Sequence, residues 1–210
     1  MPILDVPPTR TALLALRRQL AFAEEGYSLL DRKRELLLLE LAEYRRRAAL
    51  SRRGLEERLA AAFAALREAV LDAGSAAVDR AALGARGAAE VTTSWRRLMG
   101  LRLPEAGASP GPERPAFGPG GTPAAADEAR RLFLRALPPL AEAAALDTAV
   151  LRLSRELSRT QRRCNALSKR VIPDCRRTIA FLAASLEERE REYFVLLKLI
   201  RARLRGQARP

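Results

Sequence analysis

The chain has 210 residues, with 38 Lys and Arg against 25 Asp and Glu, a formal charge of +13 and no histidine. The lack of histidine removes the commonest general base and metal ligand. With aromatics at 5% and an apolar set dominated by Leu and Ala, an ordinary sheet protein is excluded as well.

What remains is the composition of long helices or a coiled coil, because Ala, Leu, Arg and Glu are strong helix formers. The positive charge is almost all Arg, the only lysines being Lys33, Lys169 and Lys198. Such a chain is drawn to polyanions or to an acidic protein partner. No apolar run approaches the roughly 18–20 residues of a membrane span. Met1 to Thr11 lacks the basic-then-apolar order of a secretion signal. The expectation is a soluble chain that reaches a membrane only through partners.

In chain order, Pro7-Pro8 followed by Thr9 reads as a helix start, with Thr9 as N-cap. An apolar series then runs Leu13, Leu16, Leu20, Ala23, Tyr27, Leu30, Leu37, Leu41, Tyr44 and Ala48. Steps alternating three and four give a 3.5-residue period, the mark of a helix packed along a narrow seam. Arg34 interrupts it. Beyond Leu55 the seam thins to Ala62, Ala65 and Ala69, and Gly74 is the expected stop. Thr9–Ala73 as one helix would be about 100 Å long, too long for a globular domain of this mass.

The middle changes character. Gly84, Gly87, Gly100 and Gly107 break any helix, and Pro104 to Pro123 reads as a Gly/Pro-rich loop. Glu90–Trp95 and Leu101–Leu103, separated by Arg96–Gly100, are expected as two short strands of a small hairpin.

Helix resumes near Asp127, with a disturbance expected at Pro138-Pro139. A second seam follows: Leu146, Val150, Leu153, Leu157, Thr160, Cys164, Leu167, Val171, Cys175, Ile179, Leu182, Leu186, Arg189, Tyr193, Leu196, Ile200, Leu204. Three successive steps of four between Leu167 and Ile179 form a stutter, which locally relaxes a supercoil. Pro173 lies inside it, where a kink is expected. Cys164 and Cys175 are about 16 Å apart along one helix, beyond disulfide reach, and read as small buried side chains.

Each seam needs a partner, since a long helix with a narrow apolar stripe is not stable on propensity alone. The fold class is therefore all-α: a long antiparallel two-helix coiled coil of N- and C-terminal helices, with a small central loop and β-hairpin region. The divisions are 1–75, 76–126 and 127–210. Leu13–Leu30 is expected to lie opposite Leu186–Leu204. The core seam set is Leu13, Leu16, Leu20, Tyr27, Leu30, Leu37, Leu41, Leu182, Leu186, Tyr193, Leu196 and Ile200.

No catalytic residue, cofactor site or metal site is legible. Gly118-Pro-Gly-Gly121 is followed by Thr122-Pro123, with no lysine of a phosphate loop. Basic clusters such as Arg45-Arg46-Arg47, Arg52-Arg53, Arg162-Arg163 and Arg176-Arg177 raise the alternative of a coiled-coil module that binds nucleic acid or the ribosome. Stacking aromatics are not interleaved with them, so no nucleic-acid partner is expected.

Three segments resemble the D subunits of V/A-type ATP synthases. The first is Val6-Pro-Pro-Thr-Arg-Thr-Ala-Leu-Leu14, continuing to Gly26-Tyr27-Ser28-Leu29-Leu30-Asp31-Arg32-Lys33-Arg34-Glu35-Leu36. The second is Met99-Gly-Leu-Arg-Leu-Pro-Glu105. The third is Arg162-Arg-Cys-Asn-Ala-Leu167 with Val171-Ile-Pro173, Thr178-Ile179 and Leu186-Glu-Glu-Arg-Glu-Arg-Glu192. The resemblance implies a non-catalytic central rotor shaft of a rotary ATP synthase or ATPase, linking ATP turnover in a hexameric head to proton or sodium transport through a membrane ring. It implies as partners the A and B subunits of the head, a small stalk component, the F subunit, and a funnel-shaped one, the C subunit. It implies a cytoplasmic place, peripheral to the cell membrane. It further implies that the terminal end enters the head, with the outward Arg17, Arg18, Arg201 and Arg203 as candidate partner contacts.

Overall fold

The computed structural model describes residues 6–84, 89–111 and 124–207. Helices and one hairpin follow in order: α1 (Arg10–Ala73), α2 (Ser75–Gly84), β1 (Ala89–Leu98), β2 (Leu101–Pro110), α3 (Ala124–Ala166), a π turn (Leu167–Val171) and α4 (Ile172–Gln207). The N-terminal and C-terminal helices pack against each other as the two seams require. The chain divides into two units, Met1–Glu35 with Ser158–Pro210, and Leu36–Leu157.

α1 begins where its capping chemistry allows. Thr9 Oγ1 accepts a hydrogen bond from the Ala12 N–H at 3.2 Å, and the Leu13 N–H bonds the Thr9 carbonyl. It ends at Ala73, because Gly74 takes φ +81°, a left-handed conformation that glycine adopts without penalty. The short α2 after it was not expected from the sequence.

Within the first unit, Arg10 pairs with Glu190, and Arg176 reaches Glu24 at 2.6 Å. Advancing from Arg10 to Glu24 on one helix retreats from Glu190 to Arg176 on the other, so the pairing is antiparallel. Leu16, Ala23, Cys164, Cys175, Thr178 and Leu182 are buried along this seam. Within the second unit, Leu37, Leu41, Tyr44 and Ala48 of α1 form one cluster with Leu146, Ala149 and Leu153 of α3 and with Leu103 of β2. Further along, Phe63 meets Phe133 edge to face, ring centroids 5.1 Å apart, where the α1 seam has thinned to alanine.

The hairpin is longer than the sequence suggested. All ten residues of β1 pair with all ten of β2, from Ala89 opposite Pro110 to Leu98 opposite Leu101. Met99 and Gly100 form the turn, at φ +48° and +84°. Positive φ at both central residues is the primed turn whose twist matches that of the strands. Pro104 therefore lies in a strand and not in a loop. In a two-stranded ribbon every other N–H faces outward, where a proline loses no ladder bond. The remainder of the expected Gly/Pro loop, 112–123, lies outside the described residues.

Proline lies inside a helix at two places where a disturbance is expected. Pro138 and Pro139 lie inside α3, which runs unbroken from Ala124 to Ala166. Near Pro173 the chain adopts five residues of π helix, in which the Ile172 N–H bonds the Leu167 carbonyl. Proline at 173 has no N–H for the Lys169 carbonyl, and its ring would crowd that carbonyl in an α turn. The wider π turn relieves the crowding.

Leu37 is fully buried and Arg46 is exposed, paired only with Glu43 one turn away. Leu37→Asp is expected to cost several kcal/mol in urea unfolding, since it buries an unpaired charge. Arg46→Asp should stay within about 1 kcal/mol of the parent. A thiol crosslinker joining Glu24→Cys to Arg176→Cys in a chain otherwise free of cysteine should act within one chain. Products of doubled mass alone would contradict the antiparallel hairpin of helices.

Candidate functional site

The register of the first unit leaves part of α4 without a counterpart. Arg10, the first residue of α1, already lies against Glu190, and the Arg189 guanidinium donates to the Pro8 carbonyl at 3.1 Å. Every described residue from Glu187 to Leu204 is exposed. Tyr193 is 63% exposed, Leu196 57%, Ile200 48% and Leu204 62%. These seam residues were expected to face Leu13–Leu30. Instead, the ion pairs set Leu13–Leu30 against the stretch that precedes Leu186. The two seams match in period, but their ends are offset, and period alone carries no information about the offset.

The expected seam residues thus fall into three groups. Leu16, Leu37, Leu41 and Leu182 are buried. Leu13, Leu20, Tyr27, Leu30 and Leu186 are half-buried. Tyr193, Leu196 and Ile200 join Phe194, Val195, Leu197 and Leu199 on a helix segment that is apolar on several faces and exposed throughout. Such an all-round apolar helix is ordinarily found buried. No described helix is long and apolar enough to cross a membrane. Arg201 and Arg203 lie on the same segment, and Arg17 and Arg18 lie on α1; all four are exposed.

At the seam break, Arg34 Nη2 lies 2.8 Å from Asp31 Oδ1. The approach has the distance of an ion pair without hydrogen-bond alignment, and that oxygen and Arg34 Nε are buried with no hydrogen-bond partner. Cys164 faces this pair. Burial pushes its thiol up, and the Asp31 charge adds to the shift while Arg34 opposes it. Cys175 is pushed up by burial too, with Asp174 contributing. Both cysteines are free and buried, as the sequence reading expected.

In the second unit, the hairpin is tied down near its turn. Leu98, Met99, Leu101 and Leu103 pack onto the helix cluster. Arg152 of α3 donates to the Arg102 carbonyl at 2.7 Å, and its guanidinium lies 4.9 Å from the centre of the Trp95 ring. Arg52 Nη2 reaches both carboxylate oxygens of Asp147, at 3.0 and 2.9 Å. These ties were not foreseen, since nothing local in the sequence links Arg152 to Trp95, 57 residues earlier. Among the described residues, no group of three or more His, Cys, Asp or Glu side chains is placed to hold a metal ion.

Residues 12–202 match the model of the ATP synthase D subunit. This chain belongs to the family of ATP synthase D subunits. It is 36% identical over 199 residues to the A-type ATP synthase D subunit of Methanosphaera stadtmanae, covering 93% of each chain. Against the A-type D subunit of Pyrococcus furiosus it is 35% identical over 210 residues, covering 98% of this chain and 97% of that one. A bacterial relative, the second V-type ATP synthase D subunit of Treponema pallidum, is 35% identical over 196 residues, at 93% and 94% coverage. As a family member the chain is one of the subunits of an ATP synthase complex. The apolar end of α4, left bare in the single chain, lies mostly within the matched span.

Because both thiols are buried and held protonated at neutral pH, an aromatic disulfide reagent should label neither in the native chain within minutes. It should label both in strong denaturant. Rapid native labelling of Cys164 would contradict its place in the seam.

Proposed function

We propose that the chain is the central rotor shaft of its ATP synthase complex. It transmits torque between a catalytic head and a membrane ion-translocating ring and does no chemistry of its own. The observation that carries this reading is the exposed apolar segment Tyr193–Leu204 in a chain of this family. At about 25 cal/mol per Å2 of apolar surface, a helix bearing Tyr193, Phe194, Leu196, Leu199, Ile200 and Leu204 gains strongly from being enclosed. A sleeve formed by the A and B subunits of the head is the enclosure that fits a shaft, and Arg201 and Arg203 would meet polar or acidic groups on it.

Contacts between exposed charges are individually weak, about 0–1 kcal/mol, which suits a shaft that must turn from one orientation to the next. The F and C subunits are the further partners proposed, at the side of the coiled coil and toward the membrane. The chain then works on the cytoplasmic side, held to the membrane through the complex. The nucleic-acid alternative has no support from the family match.

Mixing the purified chain with a head lacking it should yield one copy per head by native mass spectrometry, with no ATP hydrolysis by the chain alone. Leu196→Asp combined with Ile200→Asp should weaken that assembly at least tenfold and leave the chain's own melting temperature nearly unchanged, since neither residue is packed within the chain. Three copies per head, or hydrolysis by the isolated chain, would rule out the shaft.

A further inference from the structure

The C-terminal seam holds one residue too many. From Leu146 to Leu167 it steps four and three in strict alternation. Continued unbroken, that alternation would bring Asp174 and Phe181 to the seam. In the structure Cys175 and Leu182 are buried there and Phe181 is 46% exposed, while Thr178, which both the unbroken alternation and its neighbourhood bring to the seam, is fully buried. The seam is displaced by one residue between Leu167 and Cys175, and the π turn Leu167–Val171 occupies that interval. A π turn is the geometry by which a helix absorbs one inserted residue and keeps both flanks in phase.

Proline alone does not account for it, since α3 carries Pro138 and Pro139 inside continuous α helix. None of the five π-turn residues is buried. Just before the turn, Cys164 faces Asp31 and Arg34, the pair with two buried polar atoms lacking hydrogen-bond partners. Buried polar atoms left unpartnered weaken the packing around them. Thus the same level of the coiled coil has a phase slip, a widened turn, a proline that removes a donor, and an ion pair with two atoms lacking hydrogen-bond partners.

We propose that this level, Asp31–Arg34 against Cys164–Cys175, is a built-in torsional give point, where the coiled coil yields ahead of its flanks. The inference rests on the shaft reading for its use, since a shaft that is loaded in steps stores twist where it is softest. Its physical content holds for the isolated chain.

The test is native-state hydrogen exchange on the full chain, resolved by residue. Amides of 168–172 should exchange on the order of tenfold faster than those of Thr178–Leu182. Deleting Lys169 removes the extra residue, so the difference should vanish and the melting temperature should rise. Replacing Asp31 with Leu and Arg34 with Met keeps the chain length and should slow the same amides without that deletion. In the assembled complex, the Lys169 deletion should narrow the angular fluctuations of a probe fixed to the shaft. Equal exchange rates in the parent chain, or a deletion variant that melts lower with exchange unslowed, would overturn the proposal. Wrong stoichiometry with the head would instead sink the shaft reading and leave the exchange result standing.

Discussion

Everything in this chain follows from a stripe that is too narrow. Residues recurring every 3.5 positions give each helix an apolar strip it cannot cover itself, and only a second helix of the same period covers it. A single chain meets that demand most simply by folding back. The chain between α1 and α3 makes that reversal, and within it the hairpin turns at Met99-Gly100, with Leu98, Met99, Leu101 and Leu103 packed onto the helix cluster. The cation–π contact of Arg152 with Trp95 holds β1, and its hydrogen bond to the Arg102 carbonyl holds β2. In isolation a two-stranded ribbon is marginal in water, so these ties matter more here than they would in a larger sheet.

Leu16, Leu37, Leu41, Leu182 and the two cysteines are buried at positions a count of threes and fours marks, because period is a local property. The offset between the helices was not legible, because a repeating period fits more than one offset. That is why Tyr193, Leu196 and Ile200 read as seam residues and yet are exposed in the structure. The hairpin was underestimated for a similar reason: Pro104, Gly107 and Pro110 argue against a strand until the partner strand is known to leave one edge open. The stutter was visible in the sequence, and its form as a π turn was not, since a kink at Pro173 answers the same spacing.

Chemistry was legible chiefly by its lack. The sequence has no histidine and no phosphate loop, and contacts with other proteins have no motif. Membership in the family of D subunits supplies the context that spacing could not. The exposed end of α4 then ceases to be anomalous. A soluble monomer rarely exposes a contiguous apolar patch of this kind, and where one occurs it marks an interface.

The charge distribution bears on how such an interface turns. The ion pairs between helices, Arg10–Glu190, Arg176–Glu24 and Arg52–Asp147, are all exposed. Each contributes little to stability, so the seam carries the mechanical load. Many arginines lie on outward faces. In the proposed shaft, such a basic surface would attract an acidic sleeve through contacts that are individually weak. Specific burial is confined to the apolar seam inside the coiled coil, where motion is not wanted, and to the end of α4, where a ring of partners can enclose the helix from several sides. A shaft requires that separation: strong, oriented packing between its own strands, and weak, redundant attraction to whatever surrounds it.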